Sequence, residues 1–248
     1  MKLKDNKKGI ILAAGLGPRL FNPERKDTVK PLITIGELAL LLRVIHNLEM
    51  AFCDKVIIVL GWKADIIEEY VLSHYDGPLE LRFVFNPNYH LQNGISVLCA
   101  QPYVGNEFIL TMADHILDDD IMRLIRNHHP PPGGATLFVD YKIDSIFDIN
   151  DATKVLTEGR LVKCIGKKLD AFNCIDTGVF VGTNGLMEAI SQVYKRKGDA
   201  SLSEGVQVLA DSDKMEVLDI KNSFWQDVDT PEMLLHAEKL LHLFKERD

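Results

Sequence analysis

Short apolar runs rich in β-branched residues alternate with longer amphipathic stretches through the first half of this 248-residue chain. That alternation restricts the fold more than any other feature. Ile10-Ile11-Leu12, Lys55 to Leu60, Leu81 to Phe85, Phe108 to Met112 and Thr136 to Asp140 read as strands. Between them, Glu37 to Ala51, Lys63 to Ser73, Gly94 to Ala100 and Asp118 to Asn127 read as helices. Strands that are apolar at nearly every position are buried on both faces, which requires a largely parallel sheet covered by helices. The sequence therefore predicts an α/β fold, a Rossmann-like three-layer α/β/α arrangement around a mostly parallel mixed sheet.

The pattern changes after Asp140. Val155 to Val162 reads as two short strands joined at Glu158-Gly159, a small β-hairpin insertion that a parallel sheet does not use. Asp176 to Val181, Met215 to Ile220 and Phe224 to Val228 add strands, and Leu186 to Tyr194, Leu202 to Ala210 and Pro231 to Phe244 add helices. Thr230 is placed to cap the last helix, with Pro231 at its first position.

Composition narrows the setting. A net charge of −8 argues against a duplex nucleic-acid partner, so any anionic substrate needs cations gathered locally. Cys53, Cys99, Cys164 and Cys174 show no metal-binding spacing, and buried free thiols fit a reducing cytoplasm. The most apolar stretch, Leu38 to Phe52, carries Arg43, His46, Asn47 and Glu49 and reads as a core helix, so no membrane segment is expected in this chain. The apolar run Ile10 to Ala14 is too short for a secretory leader. A cytoplasmic monomer or homodimer is the expectation.

The first strand runs directly into Leu12-Ala13-Ala14-Gly15-Leu16-Gly17-Pro18-Arg19-Leu20. Small residues after a strand let backbone N–H groups close around phosphate oxygens, and Arg19 adds a fork of donors suited to phosphate. Leu12, Ala13, Ala14, Gly15 and Gly17 are thus nucleotide-binding candidates. Leu20 stands where the dinucleotide fingerprint requires glycine, and the Gly-Lys-Ser/Thr of the P-loop is absent. Asp114 ends an apolar strand at its carboxyl edge, where open α/β sheets bind ligands, while Asp118 is better placed to cap the following helix. Asp227 and Asp229 bracket Val228, so alternation puts them on one side.

Leu12-Ala13-Ala14-Gly15-x-Gly17-x-Arg19-Leu20 followed by Lys30-Pro31-Leu32 resembles the signature of sugar-phosphate nucleotidyltransferases, and the resemblance extends over essentially the whole chain. Asn93-Gly94-Ile95-Ser96, Met112 to Leu117, Asp176-Thr177-Gly178 and Asp227 to Glu232 look closest to the CTP:inositol-1-phosphate cytidylyltransferases. The resemblance implies a nucleotide-diphospho-sugar transferase type of fold. It divides one domain, residues 1–248, into a nucleotide-binding half over about 8–140, an acceptor-binding half over about 141–230 and a C-terminal helix over 231–246. It implies that Arg19 and Lys30 act on the reacting phosphates, with Asp114 and Asp227 holding Mg²⁺ and Asp229 as a helper. Asn93, Gly94 and Ser96 are then nucleotide contacts, and the glycine permits a base or ribose to approach the backbone. Lys168, with Lys167 as its alternate, is implied at the acceptor phosphate, and Asp176 beside the acceptor hydroxyls. Asp144 and Asp148 stand open as further acceptor contacts.

The substrates implied are a nucleoside triphosphate and a phosphorylated small molecule. CTP with inositol 1-phosphate leads, and phosphocholine or a hexose 1-phosphate with CTP, UTP or dTTP stays open. His115 reads as a structural hydrogen-bonding residue, and Phe224 and Trp225 as core packing behind Asp227. A metal-dependent glycosyltransferase also uses strand-end aspartates but has no use for the Gly-Arg loop. A non-catalytic nucleotide-binding protein is the alternative of another class. Pro18 is the residue that favours it, because proline stands where threonine or serine is usual and removes one backbone donor.

Overall fold

The computed structural model describes residues 7–17 and 29–245, with residues 242–245 described by backbone alone. Arg19, Pro18 and Leu20 lie outside the described residues. The strands are β1 (Lys8–Ala13), β2 (Thr34–Ile35), β3 (Leu38–Ala39), β4 (Lys55–Leu60), β5 (Glu80–Phe85), β6 (Glu107–Met112), β7 (His115–Leu117), β8 (Ala135–Asp140), β9 (Lys154–Glu158), β10 (Leu161–Gly166), β11 (Cys174–Thr183), β12 (Met215–Asp219) and β13 (Trp225–Asp227). The helices are α1 (Leu40–Met50), α2 (Ala64–His74), α3 (Asn93–Ala100), α4 (Asp119–Arg126), α5 (Asn184–Lys197), α6 (Leu202–Ala210) and α7 (Pro231–Lys245).

A nine-stranded sheet runs β5-β4-β1-β6-β11-β8-β12-β10-β9 among the described residues. β5, β4, β1 and β6 pair in parallel, as do β8 and β12. β11 enters antiparallel between β6 and β8. Strand alternation then divides the core in two. Ile10, Ile57, Leu110, Leu137 and Phe180 pack on one face with Val97, Ile190 and Val206 of α3, α5 and α6. Ile11, Ile58, Ile109, Phe138 and Val181 pack on the other with Leu41, Ile45, Ile121 and Ile125 of α1 and α4. The near-continuous apolar runs of β1, β4, β6 and β8 are this double-sided burial, whereas the edge strand β5 is only partly buried. The predicted hairpin forms as β9 and β10, with Gly159 at φ 59° in its turn, and it extends the edge of the main sheet.

Two local departures bear on the site. The helix predicted from Glu37 begins at Leu40, because Gly36, at φ 62°, turns the chain into the short β2–β3 ladder first. The start of α3 packs closely against the start of α6 on one side. The Asn93 Oδ1 accepts the Leu202 N–H at 2.9 Å, joining α3 to α6. A Cβ on Gly94 would fall 2.5 Å from the Ala200 carbonyl oxygen and 3.0 Å from the Ser201 carbonyl carbon. The reading of Gly94 as room for a base or ribose is therefore corrected: helix packing against a neighbouring backbone requires the glycine.

Of the local predictions, Asp118 does cap α4, accepting the Asp120 N–H at 3.1 Å, and Thr230 caps α7 through the Met233 N–H at 3.2 Å. Among the described residues, no helix is long and apolar enough to cross a membrane.

The crowding at Gly94 has a measurable consequence. Gly94→Ala is expected to destabilise the protein by about 1–3 kcal/mol, since backbone must move to admit the methyl. Urea unfolding measures this, and an unchanged midpoint would contradict the packing assignment.

Candidate active site

The chain turns from β4 and β5 back across β1 to β6, so the strand order reverses between β1 and β6. Their carboxyl ends, Leu12 to Ala14 and Met112 to Asp114, meet at that reversal, where an open α/β sheet leaves a crevice. A cleft of about 780 Å³ opens there. Leu12, Ala13, Ala14, Gly15 and Gly17 line one wall, with Tyr89, Leu91, Asn93 and Ser96 beside them. Asp140, Lys142, Asp148, Lys167, Asp176 and Trp225 also line the cleft.

The glycine loop faces this space. A Cβ on Gly15 would meet no described atom within 4 Å, so packing does not demand glycine there. Gly17 is different: its φ is 57°, and a Cβ would lie 2.9 Å from the Cβ of Lys30. The end of the loop therefore rests on the stem of that lysine. Ser96 is buried and its hydroxyl oxygen accepts a hydrogen bond from the Asn86 amide at 3.0 Å.

Lys30 begins a 3₁₀ turn, Lys30–Leu32, and is only 9% exposed. Its ammonium pairs with both Asp114 and Asp229. Burial alone would lower the lysine pKa, but the two carboxylates raise it above its ordinary value. Burial likewise pushes Asp114 upward, yet Lys30 and His115 override it and hold the carboxyl well below the usual range. The His115 Nδ1 lies 2.7 Å from the other Asp114 oxygen, the hydrogen-bonding role expected for it.

The short β13–β7 ladder sets Asp227 opposite His115, and the Val228 N–H donates to the Asp114 carbonyl at 3.0 Å. These backbone bonds bring Asp114, Asp227 and Asp229 to one place. Burial raises the Asp227 pKa, and the nearby Asp229 and Asp114 carboxylates raise it further against the opposing pull of His115. Mutual repulsion of this kind is what a bound cation relieves. Among the described residues, no group of three His, Cys, Asp or Glu side chains can hold a metal ion unaided.

Lys167 lines the cleft and its ammonium contacts Asp151 at 2.7 Å, whereas Lys168 is not a lining residue. The structure thus brings the alternate, Lys167, and not Lys168 to the cleft. Asp176 lines the cleft at an irregularity of β11, where its carboxylate accepts the Gly178 N–H at 2.7 Å. Burial pushes its pKa up to about 6, against the pull of that hydrogen bond and of His115. Asp148 reaches the cleft and Asp144 does not.

Sequence reasoning missed several residues here. Trp225, read as core, instead lines the cleft; its ring stacks on His115 with centroids 5.9 Å apart, and its indole N–H donates to Asp140 at 3.1 Å. Asp140 also pairs with the Lys142 ammonium at 2.8 Å, and that ammonium donates to the Lys221 carbonyl at 2.6 Å. Asp140 ends an apolar strand just as Asp114 does, and that signal was available. Nothing in the local sequence marks Lys142.

Comparison with known proteins agrees with this geometry. Residues 9–165 match the family model of the MobA-like NTP transferase domain. The chain is 32% identical over 235 residues to the bifunctional IPC transferase and DIPP synthase of Archaeoglobus fulgidus, covering 94% of this chain and 44% of that protein. The corresponding protein of Thermococcus kodakarensis is 32% identical over 237 residues, covering 94% and 50%. The chain thus spans about half the length of these curated relatives. The inositol-1-phosphate CTP transferase structure from T. maritima superposes with a TM-score of 0.84 at 26% identity, covering 98% of both chains. A putative glucose-1-phosphate thymidylyltransferase from Bacillus anthracis shares the fold with a TM-score of 0.80 at 18% identity, covering 94% of both. The three-layer α/β/α architecture of this chain is that of the nucleotide-diphospho-sugar transferases.

The raised value of Asp176 makes stability depend on pH. Because about 6 lies above the ordinary 3.8, the contribution of the neutral carboxyl is complete below the ordinary value and is lost as pH rises through 6. Asp176→Asn retains an acceptor for Gly178 but cannot ionise. Relative to the parent it should gain about 1 kcal/mol between pH 5 and pH 8, after allowance for partial exposure. Urea unfolding at the two pH values measures the gain, and a difference independent of pH would contradict it.

Proposed function

Because this chain belongs to the MobA-like NTP transferase family, we propose that it transfers a cytidylyl group from CTP to a phosphorylated polyol, inositol 1-phosphate, and releases pyrophosphate. The observation that carries this reading is one continuous cleft lined by the glycine loop, by Lys30 with the carboxylates Asp114, Asp227 and Asp229, and by Lys167 and Asp176. The choice of CTP and inositol 1-phosphate is supported by the activity named for the T. maritima protein, which this chain resembles over 98% of its length. We read the two halves of the chain as one domain, since the cleft takes residues from both.

In this mechanism an oxygen of the acceptor phosphate attacks the α-phosphorus of the triphosphate. The new P–O bond forms as the bond to the departing pyrophosphate breaks. The acceptor is already anionic near neutral pH, a phosphate's second pKa being about 6, so no general base is needed. The loop amides of Ala14 to Gly17 and the Lys30 ammonium bind and orient the phosphates, with Arg19 proposed to assist. Lys167 draws in the acceptor phosphate, Asp176 receives an acceptor hydroxyl, and Ser96 with the start of α3 borders the base.

The mutually repelling carboxylates Asp114 and Asp227 fit a hard divalent cation that completes its shell with phosphate and water oxygens, and we assign Mg²⁺ to them. Bound there, the ion supplies charge neutralisation at the reacting phosphate.

Pyrophosphate release with CTP, UTP, dTTP and ATP, each against inositol 1-phosphate, phosphocholine and glucose 1-phosphate, tests the reading. Turnover is expected with CTP and inositol 1-phosphate, and silence with every pair would leave the non-catalytic nucleotide-binding alternative. Asp114→Ala should keep its circular dichroism spectrum while losing roughly a hundredfold or more in turnover. Near-normal rates at saturating Mg²⁺ would remove Asp114 from the metal site.

A further inference from the structure

We infer that Lys30 is the resident cation of the metal-free centre, holding Asp114 until a divalent ion arrives with the triphosphate and then exchanging carboxylates for phosphates. This rests on the nucleotidyl-transfer reading above. The Lys30 ammonium sits between Asp114 and Asp229 inside the protein, so it neutralises the carboxylate assigned to the metal. The buried Lys30 ammonium and the half-buried Asp114 carboxylate compensate each other, and one compact ammonium and one divalent ion compete for the same oxygens.

Two further observations give the exchange a direction. No group of three suitable side chains among the described residues can hold a metal unaided, so free metal meets an incomplete shell already satisfied by lysine. Triphosphate oxygens complete that shell. Gly17 also rests on the stem of Lys30, with its φ of 57° and the 2.9 Å approach of a would-be Cβ. Phosphates bound at the loop therefore lie beside the same side chain that must move. With Asp114 given over to such an ion, the Lys30 ammonium would turn to the phosphates and keep its charge compensated. Lys30 thus makes metal binding conditional on nucleotide.

The test is equilibrium binding of Mn²⁺ to the metal-free full chain, read from free Mn²⁺ by electron paramagnetic resonance, with and without α,β-methylene-CTP. Lys30→Met should bind Mn²⁺ without nucleotide at least about tenfold more tightly than the parent, because the competing charge is gone. Its affinity for the nucleotide analogue should fall. Lys30→Arg, which keeps the charge, should bind nucleotide-free Mn²⁺ as weakly as the parent. Lys30→Gln serves the same purpose as Met if that variant fails to fold, and Mn²⁺ should raise the melting temperature of either uncharged variant more than that of the parent. Equal or weaker nucleotide-free binding by the uncharged variants, with the parent still binding Mn²⁺ alongside the analogue, overturns the exchange and leaves the nucleotidyl-transfer reading standing. Absence of Mn²⁺ binding to the parent even with the analogue overturns the metal assignment itself.

Discussion

The pairing of Lys30 with Asp114 and Asp229 is the interaction around which this molecule is arranged. Its three members come from the segment after the glycine loop, the end of β6 and the chain beyond β13. A lysine only 9% exposed survives inside a protein only if its charge is met, and two carboxylates meet it here. The pairing therefore fixes where the last strand must lie relative to the first loop. The β13–β7 ladder and the bond from the Val228 N–H to Asp114 supply the backbone support. Without them the carboxylates would have no common place to meet.

The sheet explains why the chemistry falls where it does. Parallel strands point their carboxyl ends the same way, so Ala14, Asp114 and Asp140 reach one rim although they follow different strands. The antiparallel strand β11 then brings Asp176 to that rim at an irregularity where Gly178 adopts φ 75°. A side chain on Gly178 would strike the His115 ring, with a Cβ 2.7 Å from Nε2. His115 is thus enclosed by Trp225 on one side and the β11 irregularity on another, while Asp114 holds its ring nitrogen. The tryptophan extends the connection to Asp140 and Lys142, which in turn tie the segment around Lys221 to the cleft. In the proposed transfer the centre needs no nucleophile of its own, because the acceptor phosphate would bring one, and the protein would contribute position and charge.

Much of this was legible along the chain. The boundaries of β4 and α6 coincide with the runs that predicted them, since both depend on local periodicity and burial. The glycine loop, Lys30, Asp114 and the carboxylates around Val228 were readable because each lies next to a strand end or a turn that marks it. Side-chain partnership was less visible. The sequence placed Asp229 behind Asp227 as a helper, yet it is Asp229 that binds Lys30, because pairing depends on approach angles that alternation does not encode. Lys167 and Lys168 are chemically equivalent neighbours, and only the path of the chain after β10 sends the first into the cleft. Gly94 was read as space for a ligand, but the carbonyl that crowds it belongs to Ala200, far along the chain.

The division follows the range of the interactions. Strand and helix periods, caps and the small residues after β1 act over a few residues, so the sequence alone determined an α/β architecture and a small-residue loop at the end of its first strand. Which carboxylate meets Lys30, which lysine faces the cleft and which aromatic ring forms its wall depend on contacts between segments that are remote in the chain. Those contacts exist only once the sheet closes the distance, and the tertiary structure alone decided them.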